Sequence, residues 1–440
     1  MNKIYNIIFK LDVMIMYIFL QPMMRVDEFT LGNGLKNLFY YIRIKNKKEI
    51  FKLFSLIFFF IFINIIKILY SPIILFFYFS KFRFAQINYH QIGAISEHIN
   101  FMTKKNFNNG YKTILLIPKN SKFSFISKIF KNLKIINSNI LNIILLPLKH
   151  TSLISCKMNS VDLFLNENYE LRNKNPKSKI QNEFIKKYID LNLFELNNNY
   201  ISTMDTYLKK NFPTLNINNC FVLHQRDDNY RSTSNFRGSN IYSYSKMIEF
   251  ILSKGYSLIR LINNDSKKLS FDNLRYFEVN TDLIFNMELQ YYLIYFSKGL
   301  ICTTSGPASI GSLFSKPVFD TNNYGSNVNS ITSNGTYILK KIEKDNRYLN
   351  FKELLELKFF EGIYACTREC KRIGLKVINN SEIEILEGFK DFLSIQNKND
   401  ISYNQKIFKE NLPNCELKYY NSNIAQSFIK DNKLFFKEVI

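Results

Sequence analysis

Residues 220–228, CFVLHQRDD, combine residue types that could do chemistry with a clear structural setting. The apolar run at the start predicts a buried parallel strand, and the chain then changes abruptly to polar and charged residues. In open α/β sheets, ligands bind just beyond the carboxyl ends of the strands. Arg226 at such a position could direct two N–H donors at one phosphate group, which lysine cannot do. An ion pair between Arg226 and Asp227 or Asp228 is an alternative that this stretch leaves open.

A second candidate group is the run TTSGP at residues 303–307, between a predicted strand and a helix of small residues. The start of a helix presents unpaired N–H groups and the positive end of the helix dipole. Gly306 would let a ligand approach the backbone closely, and Thr303, Thr304 and Ser305 supply hydroxyls. This pattern predicts an anion site. An ordinary helix start, capped by Ser305 with Pro307 in its first turn, is the alternative, and both can hold together.

The elements that must position these residues alternate between strand and helix in both halves of the chain, which predicts parallel sheets. In the first half we expect a strand, a turn at Gly93 and a helix that begins near Ser96, before the strand YKTILLIPKN, a helix in SFISKIFKNL and the strand NIILLPLKH. In the second half the predicted order is CFVLHQRDD, the helix YSKMIEFILSKGY, the strands SLIRLIN and RYFEVN, a helix from Met287 to Ser297, and the strand LIC. Residues 165–200 are polar and predict surface structure near a domain boundary.

The apolar residues 53–79 raise the question of membrane contact. Asn64 and Lys67 interrupt the run, whereas a spanning helix needs about 20 consecutive apolar residues. Basic residues on both sides favour an interfacial helix pair on an anionic cytoplasmic leaflet. A single tilted span and a helix buried in the fold are the alternatives. Lys10 and Asp12 interrupt the first 20 residues, so we expect no signal peptide.

Length and composition narrow the possible partners. The 440 residues suffice for two domains, and the net charge of +23 favours an anionic partner. Much of this charge is lysine scattered among Asn and Ile, and no basic helix interleaved with stacking aromatics is found, so we expect no nucleic-acid binding. Six cysteines fit a reducing, cytoplasmic environment. Cys366 and Cys370 lack a second cysteine pair or a nearby His, and Asp227 and Asp228 are adjacent rather than spaced, so we expect neither a metal nor another cofactor.

With these residues in view, the second half of the chain resembles glycosyltransferases of the GT-B type. TTSGPASIGSLFSKPVFDTNNYG is similar to the nucleotide-side motif of heptosyltransferase-like enzymes, and HQR resembles the His-x-Arg motif of fucosyltransferases, whose arginine binds the diphosphate of the nucleotide sugar. Over roughly residues 84–440 the layout resembles a bacterial glycosyltransferase family of surface-polysaccharide synthesis. One departure is that Ala94 follows Gly93, where this family usually has His.

The resemblance implies an α/β fold in which two Rossmann-like domains face a cleft, preceded by an apolar N-terminal helical segment. The boundaries that we expect are 1–83 for that segment, 84–210 for an acceptor-side domain, 211–396 for a nucleotide-sugar domain and 397–440 for closing helices. The implied reaction transfers a sugar from a nucleotide-diphosphate donor to a glycan or lipid-linked acceptor, at the inner face of the cell membrane. An inactive, membrane-associated scaffold with the same fold is the alternative, which Ala94 favours.

The resemblance also assigns roles to the candidate residues. Arg226 would bind the donor diphosphate and stabilise charge on the leaving phosphate. The base for the acceptor hydroxyl stays open among Glu97, His98, Asp227 and Asp228, and each of these has a structural alternative as a solvated acid, a core histidine or an ion-pair partner. Arg260 could instead pair with a neighbouring acid. The substrate-binding residues that we expect are Gly93, His224, Arg237, Arg260, Thr304, Ser305 and Gly306.

Overall fold

The part of the chain that the structure describes is an α/β fold built on parallel sheets. The structure is a computed structural model that describes residues 72, 76, 79–86, 92–117, 119, 121–144, 154–155, 193–227, 237–325, 335–357, 359–361, 370, 372–398, 401–413 and 415–437. The predicted N-terminal helical segment lies almost entirely outside these residues, as do Asp228 and Cys366. Within the described residues, no helix has both the length and the apolar character that a membrane span requires.

The first sheet has the strand order β3-β2-β1-β4, and all of its described strands are parallel. The strands are β1 (Phe82–Gln86), β2 (Lys112–Ile117), β3 (Lys134–Asn137) and β4 (Ile154–Ser155). The helices between them are α1 (Ile92–Asn108), α2 (Ile126–Ile129) and α3 (Asn139–Ile144). Ile95, Ile99 and Met102 form the face of α1 that belongs to the same buried cluster as Leu115 of β2.

Two predictions for this half were wrong. Helix α1 begins at Ile92 and not near Ser96, so that Gly93 lies inside its first turn. The residues from Asn142 to Ile144, predicted as the start of a strand, belong to α3, and the strand β3 before them was missed. The Ser138 hydroxyl accepts a hydrogen bond from the Leu141 N–H at 3.1 Å, and this capping interaction starts a helix in an apolar run that by itself favours a strand.

The second sheet has the order β14-β10-β9-β8-β5-β6-β7, and its described strands are all parallel. Its strands are β5 (Cys220–His224), β6 (Ser257–Ile262), β7 (Tyr276–Asn280), β8 (Gly299–Cys302), β9 (Val318–Asn323), β10 (Thr336–Leu339) and β14 (Asn423–Ile424). The helices packed on it or near it are α4 (Asn198–Asn211), α5 (Ser245–Ser253), α6 (Ile284–Phe296) and α7 (Gly306–Leu313). The strands and helices predicted for this half are confirmed, although α6 begins at Ile284 and not at Met287. Helix α5 ends at Ser253, and Gly255, shortly after it, has φ +83°, the left-handed conformation that often follows a helix end.

The remaining described elements lie towards the C-terminus. A small antiparallel sheet, ordered β12-β11-β13, consists of β11 (Lys341–Lys344), β12 (Arg347–Tyr348) and β13 (Lys376–Ile378). The helices are α8 (Phe351–Glu356), α9 (Glu382–Lys398), α10 (Tyr403–Asn411), α11 (Gln426–Asp431) and α12 (Lys433–Phe436). Because β14 pairs with β10, this last part of the chain completes one edge of the second sheet.

Both faces of the second sheet are buried, as expected for a parallel sheet covered on two sides. Side chains alternate between the faces along each strand. Phe221 and Leu223 of β5 pack in a cluster with residues of α5 and α9. Cys220 and Val222 belong to the opposite cluster, which also contains residues of α1 and of the first sheet. One continuous core therefore joins α1 to the second sheet, with Cys220 acting as a small apolar residue.

Candidate functional site

The strand order of the second sheet reverses between β5 and β8. From β5 the chain continues outwards to β6 and β7, and from β8 it continues in the opposite direction to β9 and β10. In doubly wound sheets the crevice for a ligand opens at the carboxyl ends of the two strands that flank this reversal. The two candidate groups of the sequence follow these two strands. The fold thus brings together residues that lie about 80 positions apart in the chain.

Three hydrogen bonds join the two candidate groups. The Thr303 N–H donates to the His224 carbonyl at 3.2 Å. The Arg226 N–H donates to Thr303 Oγ1, also at 3.2 Å. His224 Nδ1 and Ser305 Oγ lie 2.9 Å apart and share a hydrogen bond. The backbone that carries Arg226 is therefore fixed against the turn before α7.

His224 is a structural part of this junction. Burial, the Arg226 charge and the Arg260 charge together lower the pKa of His224 to about 3. The imidazole is neutral at physiological pH, and its Nδ1 is engaged with Ser305. This geometry fits a role for His224 in shaping the turn rather than in accepting a proton.

At the start of α7, a buried hydroxyl has no hydrogen-bond partner, and the first turn has no acidic residue to balance the positive end of the helix dipole. Ser305 occupies the N-cap position but does not cap the helix, since its hydroxyl bonds to His224, while Pro307 lies in the first turn as predicted. No acidic residue lies in that turn. Thr304 is 9 % exposed, and its buried Oγ1 has no hydrogen-bond partner. Buried hydroxyls are rarely left unpaired, so this helix start has the chemistry of a site for a bound anion.

Gln225 holds together the two ends of the loop that follows β5. Its Nε2 donates to the Arg226 carbonyl at 2.8 Å and also to the Ser239 carbonyl. The Ser239 N–H donates to the Arg226 carbonyl at 2.9 Å, and Asp227 pairs with Ser239 in a parallel bridge. Residues 228–236 between these ends, including the predicted base Asp228, lie outside the described residues. Arg226 and Arg237 thus stand at the paired ends of one loop.

Both of these arginines act on Tyr324, next to the carboxyl end of β9. The Arg237 guanidinium lies 5.9 Å from the centroid of the Tyr324 ring. Burial raises the pKa of Tyr324, while the positive charges of Arg237 and Arg226 oppose this rise. The Asp320 carboxylate of β9 acts on Tyr324 in the opposite sense and raises its pKa, so two guanidinium groups and one carboxylate act on the same small region. The cations outnumber the carboxylate there.

The start of α1 touches the start of α7. A Cβ placed on Gly93 would lie 2.7 Å from the Gly306 Cα, and one placed on Gly306 would lie 3.1 Å from the Gly93 N. The first turn of α1 also contains no acidic residue. Gly306 was predicted to admit a ligand to the backbone, but the described structure uses this glycine, together with Gly93, for contact between two helices. The carboxyl side of the first sheet thus meets that of the second.

Glu97 lies one helical turn beyond Gly93, on the same face of α1, and is half-buried. Residues four positions apart share one face of a helix, so Glu97 lies on the face of α1 that begins at Gly93. His98 is fully buried, and burial lowers its pKa to about 4, which fits the alternative of a core histidine. Of the candidate bases on α1, Glu97 is the one that is not fully buried.

The structure does not bring Arg260 to the site surface. This side chain is 1 % exposed, and its Nη1 lies 2.7 Å from Glu278 Oε1, directly opposite on β7. The Tyr276 hydroxyl donates to the same carboxylate oxygen at 2.7 Å. Arg260 therefore occupies the ion pair that the sequence left open as an alternative, and it contributes to the site only through its charge.

Sequence reasoning missed two contributors to this region. Tyr324 and Lys340 are 5 % and 3 % exposed and lie beyond the ends of β9 and β10. A polar residue directly after a strand was the available signal for Lys340, but lysines are too frequent in this chain for it to stand out. In the described part of the chain, no group of three His, Cys, Asp or Glu residues is placed to hold a metal ion.

Comparison with known proteins gives matches among solved structures. No family model and no curated protein matches the chain. A glycosyl transferase family 9 protein from Veillonella parvula DSM 2008 has a TM-score of 0.40 at 8 % identity, over 71 % of this chain and 97 % of that one. The E. coli ADP-heptose lps heptosyltransferase II has 0.39 at 10 %, over 60 % and 92 %. The NodZ alpha-1,6-fucosyltransferase soaked with GDP-fucose has 0.30 at 10 %, over 53 % and 92 %.

These structural neighbours are glycosyltransferases, and they include a heptosyltransferase and a fucosyltransferase, the two types that the sequence motifs resemble. Identities of about a tenth and TM-scores below 0.5 do not assign an activity to this chain. The functional assignment therefore depends on the site itself.

Proposed function

We propose that this protein is a glycosyltransferase that moves a sugar from a nucleotide-diphosphate donor to a glycan or lipid-linked acceptor. The observation that carries this proposal is the reversal of strand order between β5 and β8. At that point Arg226, the unpartnered Thr304 hydroxyl and the start of α7 come together. A diphosphate is the ligand that suits an arginine, a free hydroxyl and a helix N-terminus at once.

The donor half of the reaction would use this positive end of the second sheet. Arg226 donates two N–H groups to the diphosphate, with Arg237 as a second cation and Thr304 as a neutral donor. As the bond from the anomeric carbon to the phosphate oxygen breaks, its electron pair remains on that oxygen. The fixed cations and the α7 dipole stabilise this charge without rearrangement, as an oxyanion hole does. Ser305 supports the turn through its bond to His224.

The acceptor half would use the first sheet. Glu97 takes the proton from the acceptor hydroxyl while the hydroxyl oxygen attacks the anomeric carbon. Its place one turn from Gly93 supports this role, because Gly93 contacts the helix that would hold the donor phosphate. Asp227 is another described carboxylate near the junction, and it accepts a hydrogen bond from Gln225 Nε2 at 3.3 Å.

The same proposal extends to domain organisation and location. Residues 84–210 and 211–396 would form acceptor-side and donor-side Rossmann-like domains of a GT-B enzyme, with 397–440 closing the second. The apolar segment before them would lie on the anionic inner face of the cell membrane. Phe76 and Phe79, which end that segment, are 66 % and 76 % exposed, and exposed Lys81 and Lys112 lie beside them. Exposed aromatics with lysines are typical of membrane-surface contacts.

Replacement of Arg226 tests the proposal. We expect the wild-type protein to be stabilised against heat by one of the ADP-, GDP- or UDP-linked sugars. Arg226→Ala should lower donor affinity by roughly 10- to 100-fold and sugar transfer by about 10²- to 10³-fold, and Arg226→Lys should recover little, because it restores the charge but not the paired donors. Calorimetry and a transfer assay measure the two effects.

Arg347→Ala is a matched control, because Arg347 is exposed and makes a two-point contact with Glu353 in a different part of the molecule. This variant should bind donor as the wild type does. Wild-type donor affinity in both Arg226 variants would overturn the diphosphate assignment. A wild-type protein that no nucleotide sugar stabilises would favour the inactive scaffold instead.

A further inference from the structure

Lys340 is a buried lysine that links three segments near the carboxyl edge of the second sheet. It follows β10 directly and is 3 % exposed. Its ammonium group donates to the Gly238 carbonyl and to Asn379 Oδ1, both at 2.6 Å. Its backbone N–H donates to the Asn323 carbonyl at 2.7 Å. The segments joined in this way are the end of the β5–α5 loop, the end of β9 and the residues before α9.

Two of these bonds flank the contact between Arg237 and Tyr324. Gly238 follows Arg237, and Asn323 precedes Tyr324, whose ring centroid lies 5.9 Å from the Arg237 guanidinium. Gly238 has no side chain with which to fix its own position. The ammonium of Lys340 therefore holds the backbone on the arginine side of the contact, while its N–H holds the backbone on the tyrosine side.

The frame behind Lys340 is rigid. Asn322 and Asn380 exchange two hydrogen bonds, from each backbone N–H to the amide oxygen of the other side chain, at 2.7 and 2.8 Å. The Asn380 amide also donates to the Leu339 carbonyl at 2.7 Å. The backbone of Leu339, directly before Lys340, is therefore held in place, and the Lys340 ammonium reaches the Gly238 carbonyl from this fixed point. The bond therefore acts as a positional constraint on the loop.

A buried ammonium group is costly unless its donors are satisfied, and a carbonyl that loses its donor in a buried site is costly as well. An apolar side chain of similar length would fill the space but would leave the Gly238 carbonyl without this donor. The loop end that carries Arg237 would then move to regain a partner. Replacing the Lys340 ammonium would therefore change the position of Arg237.

We propose that Lys340 is a positioning residue of the donor site, which holds Arg237 against Tyr324 so that its guanidinium group faces the donor diphosphate beside Arg226. This inference rests on the proposed function, because it takes the diphosphate to bind at the junction of β5 and β8. Lys340 follows β10, a strand for which the proposed function names no donor-binding residue.

A double-mutant cycle tests the inference. Dissociation constants for ADP, GDP and UDP are measured by calorimetry on the full-length wild type, Lys340→Met, Arg237→Ala and the double variant, and the tightest of the three nucleotides is used for the cycle. We expect Arg237→Ala to weaken binding roughly tenfold and Lys340→Met to weaken it about five- to tenfold. The double variant should be no weaker than Arg237→Ala alone, because the lysine acts through the arginine.

Two further variants keep the result interpretable. Lys316→Met removes another partly buried lysine whose ammonium donates to a backbone carbonyl, that of Ser297 at 3.0 Å, next to the amino end of β9. Its affinity should equal that of the wild type. If Lys340→Met does not fold, Lys340→Gln, which keeps an N–H donor on a shorter side chain, replaces it in the same cycle.

The outcomes separate this inference from the proposed function. If the wild type binds a nucleoside diphosphate but the two losses multiply, or the Lys340 variant binds as tightly as the wild type, the inference alone is overturned. If the wild type binds none of the three nucleotides, the proposed function fails and the inference fails with it. A loss at Lys340 that disappears in the Arg237→Ala background supports it, since a purely structural weakening would persist in both backgrounds.

Discussion

The two helix starts that meet at Gly93 and Gly306 differ in what fixes them and in the charge they carry. The α7 start is tied to the end of β5 by the His224–Ser305 and Arg226–Thr303 hydrogen bonds, and two arginines lie in its neighbourhood. The α1 start is held by packing, by the glycine contact and by the Ser96 hydroxyl, which lies 2.8 Å from that of Tyr291. It carries an acid, Glu97, rather than cations.

This difference has a chemical reading. A group that binds and stabilises a leaving diphosphate has to be positive and immobile. Charges that are already in place stabilise the developing negative charge without any cost of rearrangement. A group that removes a proton has to be a carboxylate close to the same point, but outside the field that binds the anion. Two sheets that each supply one helix start can meet both demands, whereas the start of a single helix favours negative charge throughout its first turn.

Removal of the acid should have the largest effect. We expect Glu97→Gln to lower the turnover rate about 10²- to 10⁴-fold, because the amide cannot accept the proton of the acceptor hydroxyl. Donor affinity should stay within about twofold of the wild type, since the proposed donor site lies on the α7 side. Transfer assays and calorimetry measure the two quantities. If donor affinity falls as much as turnover, the division between the two helix starts is wrong.

Lowering the pH should lower the free energy of unfolding through two neutral histidines, His98 of α1 and His224 beside the start of α7. Unfolded His98 and His224 take up protons near pH 6.5, but in the folded protein their pKa values are about 4 and about 3. Between these values the unfolded state binds more protons, so the free energy of unfolding falls as the pH is lowered. At pH 5 the loss is about 2 kcal/mol for each histidine.

Urea unfolding at pH 7.5, 6 and 5 measures this loss. His224→Asn should remove about half of it, because one of the two protons is no longer taken up on unfolding. If the pH dependence is unchanged in this variant, the His224 imidazole is already exposed to water in the folded protein.

The contact between the helices should be sensitive to a single methyl group. Gly93→Ala places a Cβ 2.7 Å from the Gly306 Cα, and because both atoms belong to helix backbones, a helix has to move. We expect a loss of about 1–3 kcal/mol in the free energy of unfolding, which exceeds the gain in helix propensity of about 1 kcal/mol. Thermal and urea unfolding measure this change.

Gly311→Ala is the matched control within α7, since its Cβ would meet the Leu300 and Val318 side chains at 3.2 and 3.4 Å rather than a backbone. We expect this variant to have nearly wild-type stability. If both alanine variants are equally stable, the two helix starts are not in contact in solution.

Much of the second sheet could be predicted from the sequence, because its strands are continuous apolar runs that end abruptly in polar residues. The apolar start of CFVLHQRDD and the residues before TTSGP form β5 and β8, and the helix predicted in YSKMIEFILSKGY is α5. The first sheet was harder to predict. Its strand β3 is short and only partly buried, and α1 buries polar residues such as His98 and Asn100, so neither shows a clean period.

The site was only partly predictable for a related reason. Arg226 and the TTSGP turn could be selected because each follows the end of a strand. Arg260 lies in the middle of a strand and forms an ion pair with Glu278 on β7. Tyr324 carries no local signal, and the signal at Lys340, a polar residue directly after a strand, is too common in this chain to select it. Their importance comes from partners that are distant in sequence, such as Gly238 and Arg237.

The sequence by itself determined the α/β class, the strands β5 to β8 of the second sheet and the two polar groups that follow β5 and β8. These are local properties, since apolar runs, turn residues and helix caps act over a few positions. Only the tertiary structure decided that β5 and β8 are neighbours at the reversal of strand order, and that Gly93 lies against Gly306. Strand order and helix contacts depend on how whole faces are buried, so the residues that meet there are chosen by packing and not by spacing in the chain.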